Sequence, residues 1–132
     1  MMRIIFLTVW ASMALGGQTS ELTNVDGKSQ AIFEDRNLGL YLSANCVQPD
    51  HKLKCRAYDV LALVSFDEVV SKLKGGVNPG AMICRSVSGE LTILKDAKGN
   101  ENSFCRFGDD SLVSSGTMTR YGRQNDEARQ KH

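Results

Sequence analysis

The sequence predicts a small α+β domain: a small antiparallel sheet with one or two short helices, stapled by disulfides. Three observations carry this. Short alternating stretches such as E-L-T-I-L-K at 90–95 and S-F-C-R-F at 103–107 are separated by turn signals. Asn78-Pro79 opens a helical stretch with an N-cap followed by proline at the first helical position, where its missing N–H costs nothing. Four cysteines, Cys46, Cys55, Cys84 and Cys105, all lie beyond an apolar leader. An even cysteine count in an exported chain reads as disulfides.

The leader is the first element. Arg3 supplies positive charge, residues 4–15 are apolar apart from Thr8 and Ser12, and Ala14-Leu15-Gly16 places small residues where a signal peptidase reads. Cleavage is expected after Gly16, making residues 1–16 a signal peptide. The run is shorter than the roughly 20 residues a membrane span needs. No cysteine stands directly after Gly16 or Gly17, so the product is expected not to be a lipoprotein, but a periplasmic or secreted protein without stable membrane insertion. Removing Arg3 from 16 basic residues leaves 15 against 15 acids. Such a balance supplies no bulk attraction to nucleic acid or anionic membranes. Trp10, the one tryptophan, leaves with the leader.

Residues 17–29 are polar and glycine-containing and read as a flexible lead; 30–121 read as a single domain. Within it, 30–33 form a short strand running into a turn, and 38–42 a second apolar stretch bent at Gly39. Residues 52–57 alternate charged and apolar side chains, the period of a half-buried strand. The continuous apolar run 60–64 fits a buried strand or a buried helix equally. Ser65 and Glu68 have capping-box spacing for a helix whose apolar face is Phe66, Val69, Val70 and Leu73, stopped by Gly75-Gly76. The Asn78-Pro79 helix runs through Cys84 towards Gly89. The 90–95 and 103–107 strands flank a turn at 96–100, and 111–121 read as a third strand. Residues 122–132 are polar and charged and read as a disordered tail.

Four cysteines allow three connectivities, which sequence alone does not decide. The pairing expected is Cys46–Cys55 with Cys84–Cys105; the first pair flanks Pro49-Asp50, a turn signal that brings its flanks together. No C-x-x-C pair is present and only His51 lies among the cysteines, so no metal site is expected.

The segment 78–121 resembles a bacterial envelope family, domain of unknown function 333, which often carries a haemolysin label. The N-P-G-A-M-I-C block at 78–84, Ser88-Gly89 before a strand, the K-D-A-K-G-N turn and F-C-R-F-G-D-D-S at 104–111 carry the resemblance. It implies a proline-led helix with one cysteine, then a hairpin whose return strand carries the next, and so supports pairing Cys84 with Cys105. Asp110 stands where the family has glycine, and the acidic pair and tryptophan that usually follow are absent.

Candidate reactive groups have simpler uses. Asp67 and Glu68 fit a helix first turn. Asp96-x-Lys98-Gly99-Asn100-Glu101 resembles a calcium loop, but lysine occupies a ligand position. With no convergent catalytic set, the chain is expected to be a non-enzymatic binding module for a protein partner, with inhibition as one mode, and no cofactor. The candidate binding loops carry Pro49, Asp50 and His51 in one turn and Asp109, Asp110 and Ser111 in the other. A structural or accessory envelope protein, a small hydrolase and a membrane-active toxin are the alternatives. Near-neutral charge and the lack of a basic amphipathic helix argue against the toxin.

Overall fold

A polar segment becomes a strand when its partner supplies the register. The computed structural model describes residues 17–73 and 75–131; the signal segment expected at 1–16 and its cleavage point lie outside the described residues. Strand β1 (Gln18–Asn24) pairs antiparallel with β2 (Ser29–Asp35) from Gln18↔Glu34 to Thr23↔Ser29. The connecting turn is built by Gly27 at φ 79° and by the Asn24 carboxamide, which accepts the N–H groups of Asp26 and Lys28 at 3.1 and 2.8 Å. β3 (Leu40–Ser43) follows β2, and β4 (Glu90–Lys95) and β5 (Glu101–Arg106) form the expected hairpin. β6 (Leu112–Ser114) joins β5 to β3, and β1 reaches β4 through Thr23↔Lys95 and Asn24↔Leu94.

The class is mixed α+β, but the small sheet is corrected to a six-stranded antiparallel closed barrel, in the order β1-β2-β3-β6-β5-β4. Strand alternation then sorts the core into two compartments. Leu22, Ile32, Leu94, Phe104 and Leu112 come from five strands into one cluster, the barrel interior. Their neighbours in sequence, Phe33, Val113 and Cys105, face outward and join Leu42 in packing against the helices.

Among the described residues four helices cover that outer face: α1 (Arg56–Asp59), continued by a 3-10 turn at Val60–Ala62, α2 (Asp67–Val70), α3 (Pro79–Ser86) and α4 (Ser115–Gln130). Asn78 caps α3 as expected, its side chain accepting Gly80 N–H at 2.8 Å. Ser65 Oγ accepts Glu68 N–H at 3.3 Å, so the capping-box hydroxyl is used, although the helix it starts is a single turn. Both expected disulfides are present, Cys46–Cys55 and Cys84–Cys105. The second fastens α3 to β5. Gly89 lies against it so closely that a side chain there would run into both sulfurs.

Several expectations are corrected. The lead at 17–29 is mostly strand β1, because the barrel closes through it. The alternating run 52–57 is a loop with one bridge, Val47↔Leu53, held by the Cys46–Cys55 bond until α1 begins. The run 60–64 is a 3-10 turn at Val60–Ala62 leading into a loop, neither a strand nor a full helix. The strand expected over 111–121 stops at Ser114, whose hydroxyl accepts Thr117 N–H at 3.1 Å and starts α4. The tail expected to be disordered from 122 is the second half of that helix. It docks because its inward face is shaped to fit: Gly122 lies so close to the chain entering α2 that a Cβ there would stand 3.0 Å from Phe66 N, and the two residues that follow on this face are hydrogen-bonded to the 61–67 segment.

Candidate functional site

One of the two loops singled out from sequence, at 109–111, meets the start of α1. Asp109 Oδ2 accepts the N–H of Arg56 at 2.9 Å, and Ser111 Oγ accepts the N–H of Ala57 at 2.9 Å. Asp109 Oδ1 in turn accepts from the Ser111 N–H and hydroxyl at 3.1 and 2.5 Å. Desolvation, the largest single influence on the Asp109 carboxyl, pushes its pKa up. The hydrogen bonds from Ser111 and Arg56 outweigh it and hold the group below the ordinary 3.8. Across the same first turn, Cys55 Sγ accepts Tyr58 N–H at 3.3 Å. The orphan donors of α1 are therefore met by the 107–111 turn on one side and by the Cys46–Cys55 disulfide on the other.

Pro49, Asp50 and His51 remain exposed at the tip of the disulfide loop. Asp50 Oδ1 accepts Lys52 N–H at 3.1 Å, and His51 sits at φ 65°. Asp110 is exposed at φ 62° and lines one mouth of the barrel with Asp26, Lys28 and Arg106. Asp109 and Ser111 thus serve α1 internally, while Asp110 and the 49–51 tip are open to solvent. Asp96 of the calcium-like turn is occupied by the N–H groups of Lys98 and Asn100, both at 2.9 Å. Among the described residues, no group of three or more His, Cys, Asp or Glu side chains could hold a metal ion.

What the turns hold in place is an apolar surface that sequence reasoning missed. Tyr58 (36% exposed) projects from α1, and Leu63, at 73% the most exposed leucine among the described residues, follows the 3-10 turn. Between α1, that turn and α4 lies a cleft of about 380 Å³ lined by Tyr58, Asp59, Leu61, Ala62, Tyr121 and Asn125. A second hollow continues it past Leu63 to Ala128. Asn125 fixes its wall by donating Nδ2 to the carbonyls of Leu61 and Val64, both at 2.9 Å. Burial, with the nearby Tyr58 and Asp35, pushes the Tyr121 phenol up against the opposing pull of Arg120. The signal that could have found the cleft was Leu63 itself, an apolar residue in the 60–64 run whose pattern fits a strand or a helix equally.

A third hollow, about 390 Å³, opens at the other mouth of the barrel beside Glu34, Tyr41, Asn102 and Ser103. No helix among the described residues is long and apolar enough to cross a membrane. Fold and site together define a disulfide-stapled α+β barrel of six antiparallel strands with a helical cover. The two disulfides are the mark of an oxidising, non-cytoplasmic compartment. No family model, curated protein or solved structure matches the chain.

Proposed function

We propose that this protein is an exported binding module that docks a protein partner on the Tyr58–Leu63–Tyr121 face, with inhibition of that partner as one mode. One observation carries the reading: an aromatic and a leucine stand exposed beside an apolar cleft on the segment that both the Cys46–Cys55 disulfide and the Asp109 turn hold still. Tyrosines in well-packed hollows are typical anchors of protein interfaces. A surface already rigid loses less conformational freedom on association. The occupant that fits is an apolar side chain entering between Tyr58 and Tyr121, with a basic neighbour facing Asp59. Export is supported by the charged, apolar and small-residue pattern of residues 1–16 and by the two disulfides. The resemblance of residues 78–121 to domain of unknown function 333 supports an envelope setting.

The test is capture of partners by the oxidised protein and by its Leu63→Asp and Tyr58→Ala variants, with Val25→Asp as control. Val25 is 78% exposed on the β1–β2 turn. A partner retained by wild type and Val25→Asp but lost at least tenfold with Leu63→Asp, at unchanged melting temperature, is the expected result. Equal capture by all four proteins would remove this face from recognition.

A further inference from the structure

We infer that the barrel mouth lined by Glu34, Tyr41, Asn78, Glu101, Asn102 and Ser103 is a second binding site, for a neutral pyranoside oligosaccharide. The hollow of about 390 Å³ falls within the range of small-ligand sites, roughly 300–1,000 Å³. Its chemistry narrows the ligand. Among the described residues no lysine or arginine lines it and two carboxylates do, so a phosphate, sulfate or nucleic acid would find no cationic side chain and the repulsion of both carboxylates.

A cationic ligand is the competing candidate, but each carboxylate is already partly engaged. Glu34 Oε1 accepts the Ser20 hydroxyl at 2.8 Å, and Glu101 stands 3.8 Å from Lys95 Nζ. What remains is a mixed set of neutral donors and acceptors. Asn78 Oδ1 is taken by Gly80 N–H, so its amide nitrogen is the end left to donate. Asn102, exposed on β5, offers both ends of its carboxamide, and Tyr41 adds a phenol. The second oxygen of Glu34 can accept. Vicinal hydroxyls of a sugar ring donate and accept at once and match such a set. The partly buried ring of Tyr41 supplies the apolar surface for the sugar ring's C–H face.

The site is also built to stay in place. Phe104, only 2% exposed, anchors this stretch of β5 in the barrel interior, and the hydroxyls of Ser103 and Ser115 meet at 2.8 Å, fastening β5 to the start of α4. The inference does not depend on the Tyr58 face, since the two hollows share no lining residue.

Titration of the oxidised, 15N-labelled protein with chitotriose and with maltotriose, followed by amide shifts, tests it, with argininamide as the competing probe. The expected result is a saturable shift for at least one oligosaccharide at millimolar concentration or below, confined to residues around Asn102, Ser103 and Gly116. Asn102→Ala should weaken it tenfold or more, Glu34→Gln should weaken it as well, and Asp110→Ala at the opposite mouth should leave it unchanged. A response to argininamide alone, shifts equal at both mouths, or no saturable shift with either oligosaccharide would overturn the inference. Failure here with Leu63-dependent capture intact would leave the protein-binding reading standing, and the reverse holds equally.

Discussion

Replacing Asp126 with alanine should detach the C-terminal half of α4 from the 65–67 segment. The side chain is 6% exposed and accepts four hydrogen bonds. Oδ1 takes the Ser65 hydroxyl at 2.7 Å and the Arg129 guanidinium; Oδ2 takes the N–H groups of Phe66 and Asp67, both at 2.9 Å. Asp126 therefore does from another helix what an N-cap does for its own, and the α2 donors have a carboxylate where a side-chain oxygen would serve. A hydrogen bond to a charged group contributes about 1.5–3 kcal/mol, and the bond from the exposed Arg129 contributes little. Two backbone donors half open to water and one buried hydroxyl then sum to a loss of about 3 kcal/mol, or about 10 °C in melting temperature. Urea unfolding of oxidised wild type and Asp126→Ala would show it as a lower midpoint at unchanged slope. The pH dependence follows from the same contacts. Desolvation, the largest influence on Asp126, raises its pKa, but the bonds from Ser65, Asp67, Arg129 and Phe66 outweigh it and hold the carboxyl below its ordinary 3.8. The unfolded chain then binds the proton more readily. The stabilisation is present above pH 3.8 and is lost as pH falls through the lower folded value. Asp126→Asn should flatten that acid limb. A loss below about 1 kcal/mol for Asp126→Ala, or an unchanged acid limb for Asp126→Asn, would refute this account.

Three further outcomes are expected. Asp109→Ala should cost about 1–2 kcal/mol in urea unfolding because it strips a cap from α1, whereas Asp110→Gly should be neutral or stabilising by up to about 1 kcal/mol, since Asp110 holds a positive φ. Gly80→Ala should destabilise by about 1–2 kcal/mol despite alanine's higher helix propensity, because a Cβ there collides with the backbone carbonyl of Ser115; a rise in melting temperature would show that α3 and α4 can move apart. Removing the Cys84–Cys105 pair should cost about 3.4 kcal/mol and the Cys46–Cys55 pair about 2.7 kcal/mol in the chain-entropy estimate, following sequence separations of 21 and 9, so the order of the two denaturation midpoints is the check.

The parts legible in the sequence are those whose signals are local. Asn78-Pro79 announces α3, the 96–100 turn announces the β4–β5 hairpin, and Pro49-Asp50 brings Cys46 to Cys55. The barrel was not legible because its closure has no local sign: β3 meets β6 through the single pair Leu42↔Val113, 71 positions apart by subtraction. β1 was hidden because only Leu22 of its seven residues is buried, which leaves Q-T-S-E-L-T-N reading as a polar lead. The spacing of a docked helix does exist in α4, at Met118, Tyr121, Gly122, Asn125 and Asp126. Three of those five are glycine, asparagine and aspartate, chosen for close approach and hydrogen bonding, so a count of apolar residues passes over them. The candidate site was half legible. The loops at 49–51 and 109–111 were visible as turns, but the support that Asp109 and Ser111 give α1, and hence Tyr58, depends on contacts more than fifty residues apart in the chain.

The narrow seam between β1 and β4 has a kinetic consequence. Only Thr23↔Lys95 and Asn24↔Leu94 close the barrel, and each pair joins positions about seventy residues apart. Contacts of such long sequence separation form slowly, because most of the chain's entropy is lost before they contribute anything in return, and domains dominated by them fold in milliseconds to seconds. The Cys84–Cys105 bond ties α3 to the β4–β5 hairpin within 21 residues, so that half can organise early. The N-terminal hairpin is then the late arrival, and until it docks β4 presents an unpaired edge whose exposed members include Ile93 and the charged Lys95. Substitutions at Thr23 or Asn24 that preserve native stability should therefore appear in refolding yield at high protein concentration, where an open edge on one chain meets that of another.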